Sequence, residues 1–358
     1  MKNKKLKITV SILIRFLFFG TIFTSAFLLF LIQPLIAKMI LPKMGGTPSV
    51  WNTCIVFFNL ILLLGYIYAY LSTKYLDFRK QLFFHFFVLF ATCPFLPLVL
   101  PKILTMDVSA SPIISLLIIL LSTISVPFFV LSATGPLYQK WFALGPDLSA
   151  NDPYFLYSIS NAGSLLGLIL YPLIIENFFP LITQKFIWKI GILIFTIFAI
   201  LSILISKNFS YKAMAKTELH WKKISNIQKF RWISLSALPA AFMLALNTYI
   251  TTDTGGIPLL WVLPLILYLM SFIIVFSKDS IKIHKATVTL LPFAILSLAV
   301  LALANIREIS RFIPINLLSF FIICLFCHGL IAKERPSSKY LSLLVVLLGQ
   351  SLLLFSPQ

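Results

Sequence analysis

Few residues in this sequence have types and spacings that could do chemistry, and most sit inside apolar runs. "CLFCH", Cys324 to His328, has the spacing of a c-type haem attachment site, two thiols one helical turn apart and then an imidazole. It lies in an apolar run that ends at the basic stretch "KERPSSK", on the side opposite to where such haem is attached. A packed pair of thiols with a hydrogen-bonded histidine is therefore expected, with no cofactor. Zinc would find three ligands there and no evident fourth, so no metal site is expected either. The other residues offer hydrogen bonds and charge rather than catalysis. Asn52, Asn59 and Tyr66 recur every seven residues, on one helix face. Asn161 lies in "LYSISNAGSLLGL" beside Ser160, Ser164, Gly163 and Gly167, whose small-xxx-small spacing reads first as close helix packing. Gln33 precedes Pro34, which frees a backbone carbonyl. Asn247, Thr248, Thr251 and Asp253 form a similar polar group later in the chain. Glu176 and Asp253 are carboxylates that a cation could use, or else exposed charges at helix ends. Polar side chains held in apolar segments are expensive and tend to face protein or a wet cavity. Gln33, Asn52, Asn59, Tyr66, Asn161, Asn247, Thr251, Asp253 and Glu176 are thus the candidate lining of a binding cavity. No glycine-rich nucleotide loop, no H-E-x-x-H and no other catalytic motif occurs, so no enzyme activity is expected.

The elements that must position these residues follow from composition. Of 358 residues, 60% are hydrophobic and 11% charged, and the mean hydropathy is +1.01. This is the composition of an integral membrane protein in contact with the lipid bilayer. The net charge of +19 comes from basic residues lying between apolar blocks, a topology signal rather than a nucleic-acid surface, so no nucleic acid is expected as partner. The basic N-terminus is followed by an apolar run without a small-x-small cleavage site, and reads as a retained first helix.

Windows long enough to cross the bilayer predict an all-α bundle of eleven spans near 14–36, 50–71, 82–100, 112–134, 154–176, 186–206, 233–250, 257–277, 286–305, 313–332 and 340–356. With the N-terminus cytoplasmic, only Lys38, Lys43, Lys102, Lys185, Lys189, Arg307 and Arg311 of the 29 basic residues fall outside. The long polar segment "KNFSYKAMAKTELHWKKISNIQKFR" divides six helices from five. This gives a first half at 1–206, a basic cytoplasmic linker at 207–232 and a second half at 233–358.

"GGTPSVW", Gly45 to Trp51, recurs as "GGIPLLW", Gly255 to Trp261, each joining the first helix of a half to its second on the outer face. The pair points to an internal duplication, the plan of major-facilitator transporters, whose site lies between the halves. Pro42 and Pro48 cannot donate backbone hydrogen bonds, and Gly45-Gly46 admits positive φ, so the chain can leave one helix and start the next at Pro48. Gly255, Gly256 and Pro258 would repeat the device. Trp51 and Trp261 read as interfacial anchors. The corner is a tight turn or a hinge at the outer mouth.

Longer stretches carry a family resemblance. "SAFLLFLIQPLIAKMILPKMGGTPSVWNTCIVFFNLILLLGYIYAYL", "LSATGPLYQKWFA", "DPYFLYSISNAGSLLGLILYPLIIE", "TYITTDTGGIPLLWVLPLILYLMSFIIVFS" and "CHGLIAKERPSSKYL" resemble the membrane domain of bacterial membrane-fused spermidine synthase-like proteins. In that family a major-facilitator-like region precedes a cytosolic aminopropyltransferase-like domain. The resemblance spans about residues 16 to 341 and implies a bacterial inner-membrane protein with polyamines as the solute class. The chain ends at Gln358, so the aminopropyl-transfer residues have no positions here, and the second half is expected to hold five helices rather than six. Two functions follow as expectations: transport or sensing of a small cation, or a membrane anchor for a separate cytosolic synthase-like partner.

Overall fold

The computed structural model describes residues 2–96, 98–101, 112–207, 225–253, 262–277, 280–303 and 309–334. These residues are almost entirely helical, and no strand occurs among them. In hydrocarbon a backbone must satisfy its own hydrogen bonds, and an apolar helix does so within one segment. The first half contains α1 (Lys2–Met44), α2 (Pro48–Tyr75), α3 (Phe78–Phe90), α4 (Pro112–Thr123), α5 (Ser125–Ala143), α6 (Phe155–Leu170) and α7 (Leu181–Ser206). The second contains α8 (Asn226–Asp253), α9 (Val262–Val275), α10 (Ser280–Leu303) and α11 (Ile309–Lys333). Among the described residues seven helices are long and apolar enough to cross a membrane, or eight if one bent pair is a single span. Large apolar side chains such as Phe83, Phe87, Ile182 and Phe293 stay exposed on the outside of the bundle, which suits a lipid surround rather than water. The chain is a multi-pass helical membrane protein.

Several boundaries differ from the hydropathy expectation. Helix α1 runs through Pro34 and Pro42 to Met44, so Lys38 and Lys43 lie on a helix rather than in a loop, and the corner shrinks to three residues. The span expected at 82–100 is broken. Helix α3 stops at Phe90 and a short 3-10 turn, Cys93–Phe95, follows. The ring of Pro94 would collide with the carbonyl of Phe90, four residues back, and Pro94 has no N–H to bond it, so the helix ends there. At 13 residues, α3 reaches about 20 Å, short of the roughly 30 Å of hydrocarbon. The span expected at 112–134 is two helices bent by 64°. The ring of Pro127 would collide with the carbonyl of Thr123, four residues back, and the break falls between them at Ile124. Helix α5 then continues to Ala143. The end of the expected linker, from Asn226 onward, is already helix α8. The last expected span, 340–356, lies outside the described residues.

In the first half α1 is the hub, packed on α5, α6 and α7. Close approach needs small residues: a Cβ on Gly163 would stand 2.4 Å from the Phe23 carbonyl oxygen, and one on Gly167 would stand 2.6 Å from that of Phe27. The small-xxx-small stripe of α6 is therefore a packing face against α1. Trp188 of α7 donates to the Leu28 carbonyl of α1 at 3.3 Å, and the Thr21 and Ser202 hydroxyls meet at 3.1 Å. In the second half α11 is the hub, packed on α8, α9 and α10. Between residues 2–207 and 225–334 the main packing contact is α6 on α9.

Ion pairs tie each half at its edges. Arg15 Nε donates to Asp147 Oδ2 at 2.8 Å, with the Ser11 hydroxyl on the same oxygen and the Ser149 amide donating to Oδ1 at 2.8 Å. Burial pushes the Asp147 carboxyl up, but the Arg15, Ser11 and Ser149 hydrogen bonds outweigh it and hold it down to about 2. Lys38 meets Glu176 at 3.5 Å, and Arg231 meets Glu334 at 2.7 Å.

Candidate functional site

The α6–α9 seam carries a concentration of aromatic hydroxyls. Tyr154, the residue that caps the start of α6, and Tyr157 in its first turn are three residues apart, so both face α9. Tyr268 and Phe272 on α9 and Phe276 just past its end recur every four residues, forming one stripe. The stripes interlock: Tyr154 stacks on Tyr157 at 6.0 Å between ring centroids, and Phe276 lies 5.2 Å from Tyr157 and 6.0 Å from Phe272. The Ser158 hydroxyl donates to the Ile273 carbonyl at 3.0 Å, a hydrogen bond across the seam. Tyr66 of α2 comes close enough to Tyr157 and Tyr268 to interact electrostatically with both. Trp232 of α8 is fully buried in the same cluster.

The expected thiol and imidazole motif closes the seam from α11. His328 is fully buried, and its ring stacks on Phe272 with centroids 3.8 Å apart and meets Tyr268 edge-on at 5.0 Å. Its Nδ1 lies 2.7 Å from the Ser271 hydroxyl. Cys324 and Cys327 are buried free thiols. Among the described residues no cluster of His, Cys, Asp or Glu is placed to hold a metal ion. Buried thiols and a hydrogen-bonded histidine, as read from the sequence, are what these three residues form.

The other expected cavity residues are dispersed. Tyr66 belongs to the seam. Asn161 is one turn along α6 from Tyr157, but its side-chain amide donates to the Tyr157 carbonyl at 2.8 Å. The Gln33 amide turns back to the Leu29 carbonyl of its own helix at 3.4 Å. Asn52 and Asn59 are half-buried on α2, as is Asn247 on α8. Helix α1, which carries Gln33, packs on α5 to α7, and α8, which carries Asn247, packs on α9 and α11. Thr251 and Asp253 are in α8, with side chains outside the described residues. Glu176 is exposed and paired with Lys38, the helix-end charge rather than a seam group.

At the corner, Gly45 takes φ 74° and α2 starts at Pro48, as the turn chemistry required. Trp51 folds back over it, its indole N–H donating to the Gly46 carbonyl at 3.1 Å. Trp51 closes the turn as well as standing at the helix end. Gly255, Gly256, Pro258 and Trp261 lie outside the described residues.

Sequence reasoning weighed polar residues singly and so missed Tyr154, Tyr157, Tyr268 and Ser271. The available signal was the spacing, with aromatic residues three or four apart on two apolar helices. No family model matches the chain, and no curated protein matches it.

Proposed function

We propose that this membrane protein is a two-half, major-facilitator-like bundle of the spermidine synthase-like membrane type that moves or senses a small organic cation, polyamines being the class suggested by the resemblance. The observation that carries this reading is the seam itself. Tyr66, Tyr154, Tyr157 and Tyr268 converge from three helices where the halves meet, and electron-rich aromatic faces attract an ammonium group once it is desolvated. The two-half plan is supported by packing: α5 lies on α1 and α2, and α11 lies on α8 and α9, the equivalent helices if the chain is duplicated. The ion pairs support the assignment of segments to sides, since Arg15–Asp147 and Arg231–Glu334 each join residues that the charge bias puts on one side and Lys38–Glu176 joins two put on the other; the charge bias alone makes the first of these sides cytoplasmic. Counterflow of labelled putrescine or spermidine in proteoliposomes tests the reading. Saturable exchange, weakened by Tyr66→Ala or Tyr268→Ala, is expected; folded protein with no saturable flux or binding for any polyamine refutes it.

One observation favours the anchor reading. An open concavity of about 350 Å³ at the start of α8 is lined by Ser225, Ile227, Gln228, Arg231 and Glu334, on the side that the charge bias assigns to the cytoplasm. A docked synthase-like partner would cross-link through Gln228→Cys. Recovery of the bare membrane protein alone would count against it.

A further inference from the structure

His328 contains an acceptor that the seam leaves unused. The Ser271 hydroxyl has one proton, and it is donated to the Tyr268 carbonyl at 2.6 Å. The 2.7 Å contact to His328 must therefore run the other way, from His328 Nδ1–H to the Ser271 oxygen. With the proton on Nδ1, the neutral ring leaves Nε2 as a bare lone pair. That atom is buried without a hydrogen-bond partner among the described protein groups. Natural structures rarely leave such an atom unmatched unless it serves water, an ion or chemistry.

We propose that His328 Nε2 is a proton-binding site, and that a bound proton opens the contact between α9 and α11. The imidazolium has a second N–H and a full charge. The stacked Phe272 ring and the edge of Tyr268 offer that N–H no oxygen to bond. The titratable groups nearest His328 are Tyr268 on α9 and the thiols Cys324 and Cys327 on its own helix. Tyr66 and Tyr157 approach from the first half, and His284 of α10 packs against the adjoining Gly329. None of these is a carboxylate. The charged groups at the end of α11 are Lys333 and the Arg231–Glu334 pair, in which Glu334 already binds a guanidinium. The packed seam therefore holds the neutral ring, and protonation requires water or a separated helix pair. The aromatic faces attract the charge but leave the second N–H without an acceptor, so closed packing disfavours proton binding and acid shifts the seam toward an open state. The site does not depend on the cation reading, because it needs no solute.

The test uses the full chain in lipid nanodiscs with 15N-labelled histidine, His328 being assigned by its contact with a 13C-labelled Phe272 ring. At neutral pH the spectrum should show the Nδ1–H tautomer with an unprotonated Nε2. On acidification, protonation of that ring should coincide with a fall in hydrogen-exchange protection over residues 268–277, by up to about tenfold per pH unit, the limit for one linked proton. Ser271→Ala should abolish the single tautomer by removing the acceptor for Nδ1–H. The proposal is overturned by an Nε2–H tautomer at neutral pH. It is equally overturned if the ring protonates without loosening α9, if α9 loosens while the ring stays neutral, or if neither changes down to the lowest pH at which the protein remains folded. The wild-type spectra decide these outcomes even if the variant does not fold.

Discussion

The α1–α6 contact makes a quantitative prediction for the smallest substitution available, Gly163→Ala. A Cβ there would lie 2.4 Å from the Phe23 carbonyl oxygen and 3.2 and 3.3 Å from that residue's carbonyl carbon and Cα. All three are backbone atoms, so no rotamer change relieves the overlap. The helices must part by roughly 0.5–1 Å along a contact of several turns, and overpacking of this kind costs about 1–3 kcal/mol. Gly167→Ala meets the Phe27 carbonyl oxygen at 2.6 Å, one turn along, and should cost a similar amount. Once the first methyl has separated the helices, the second finds part of its space made, so the double variant should lose less than the sum. Gly135→Ala is the control. No atom outside its two chain neighbours and its own helical backbone lies within 4 Å of a Cβ at that position in α5, and the helix-propensity gain is offset by crowding of the new methyl against the ring of Pro136, so the variant should be near neutral. The assay is equilibrium unfolding in mixed micelles, followed by helical circular dichroism. If Gly163→Ala matches Gly135→Ala in stability, or if the double variant is fully additive, the backbone-contact argument fails.

Asp147→Ala removes the acceptor shared by Arg15, Ser11 and Ser149 and should cost roughly 1–3 kcal/mol in the same unfolding assay. Because the folded carboxyl is held down to about 2, its contribution is complete above the unfolded carboxylate range near pH 4 and disappears as pH falls through 2. Acid titration of wild type should therefore show a stability loss in that window that Asp147→Ala lacks. Gly45→Ala places a side chain at φ 74° and should cost about 1–2 kcal/mol, measured as a lowered unfolding midpoint. Trp51→Phe removes the indole bond to Gly46 together with part of the ring surface over the turn, and should cost at least about 0.5–1.5 kcal/mol. Tyr157→Phe deletes a buried hydroxyl that has no hydrogen-bond partner among the described groups, so its stability should equal or exceed wild type. A clear loss would show that the hydroxyl is bonded.

The sequence by itself determined that the chain is a multi-pass helical membrane protein, because long apolar runs in hydrocarbon can satisfy their backbones only as helices. It also determined the corner: Gly45 supplies the positive φ and Pro48 begins α2, both local backbone constraints. It named the α6 packing stripe and the buried fate of Cys324, Cys327 and His328, since small residues and a CxxCH in an apolar helix have few other uses. Hydropathy averages could not show where prolines stop α3 or bend the chain by 64° at Ile124, because a window sums transfer energies and ignores φ restriction. Only the tertiary structure decided which polar groups meet. Asn161 and Gln33 have the right chemistry for a cavity, yet each is bonded to its own helix. Tyr154, Tyr157 and Tyr268 look like ordinary apolar-face aromatics until α6 is laid against α9. The hydrogen-bond partner of His328 is a serine 57 positions away in sequence, and that approach comes from helix packing, which no local pattern encodes.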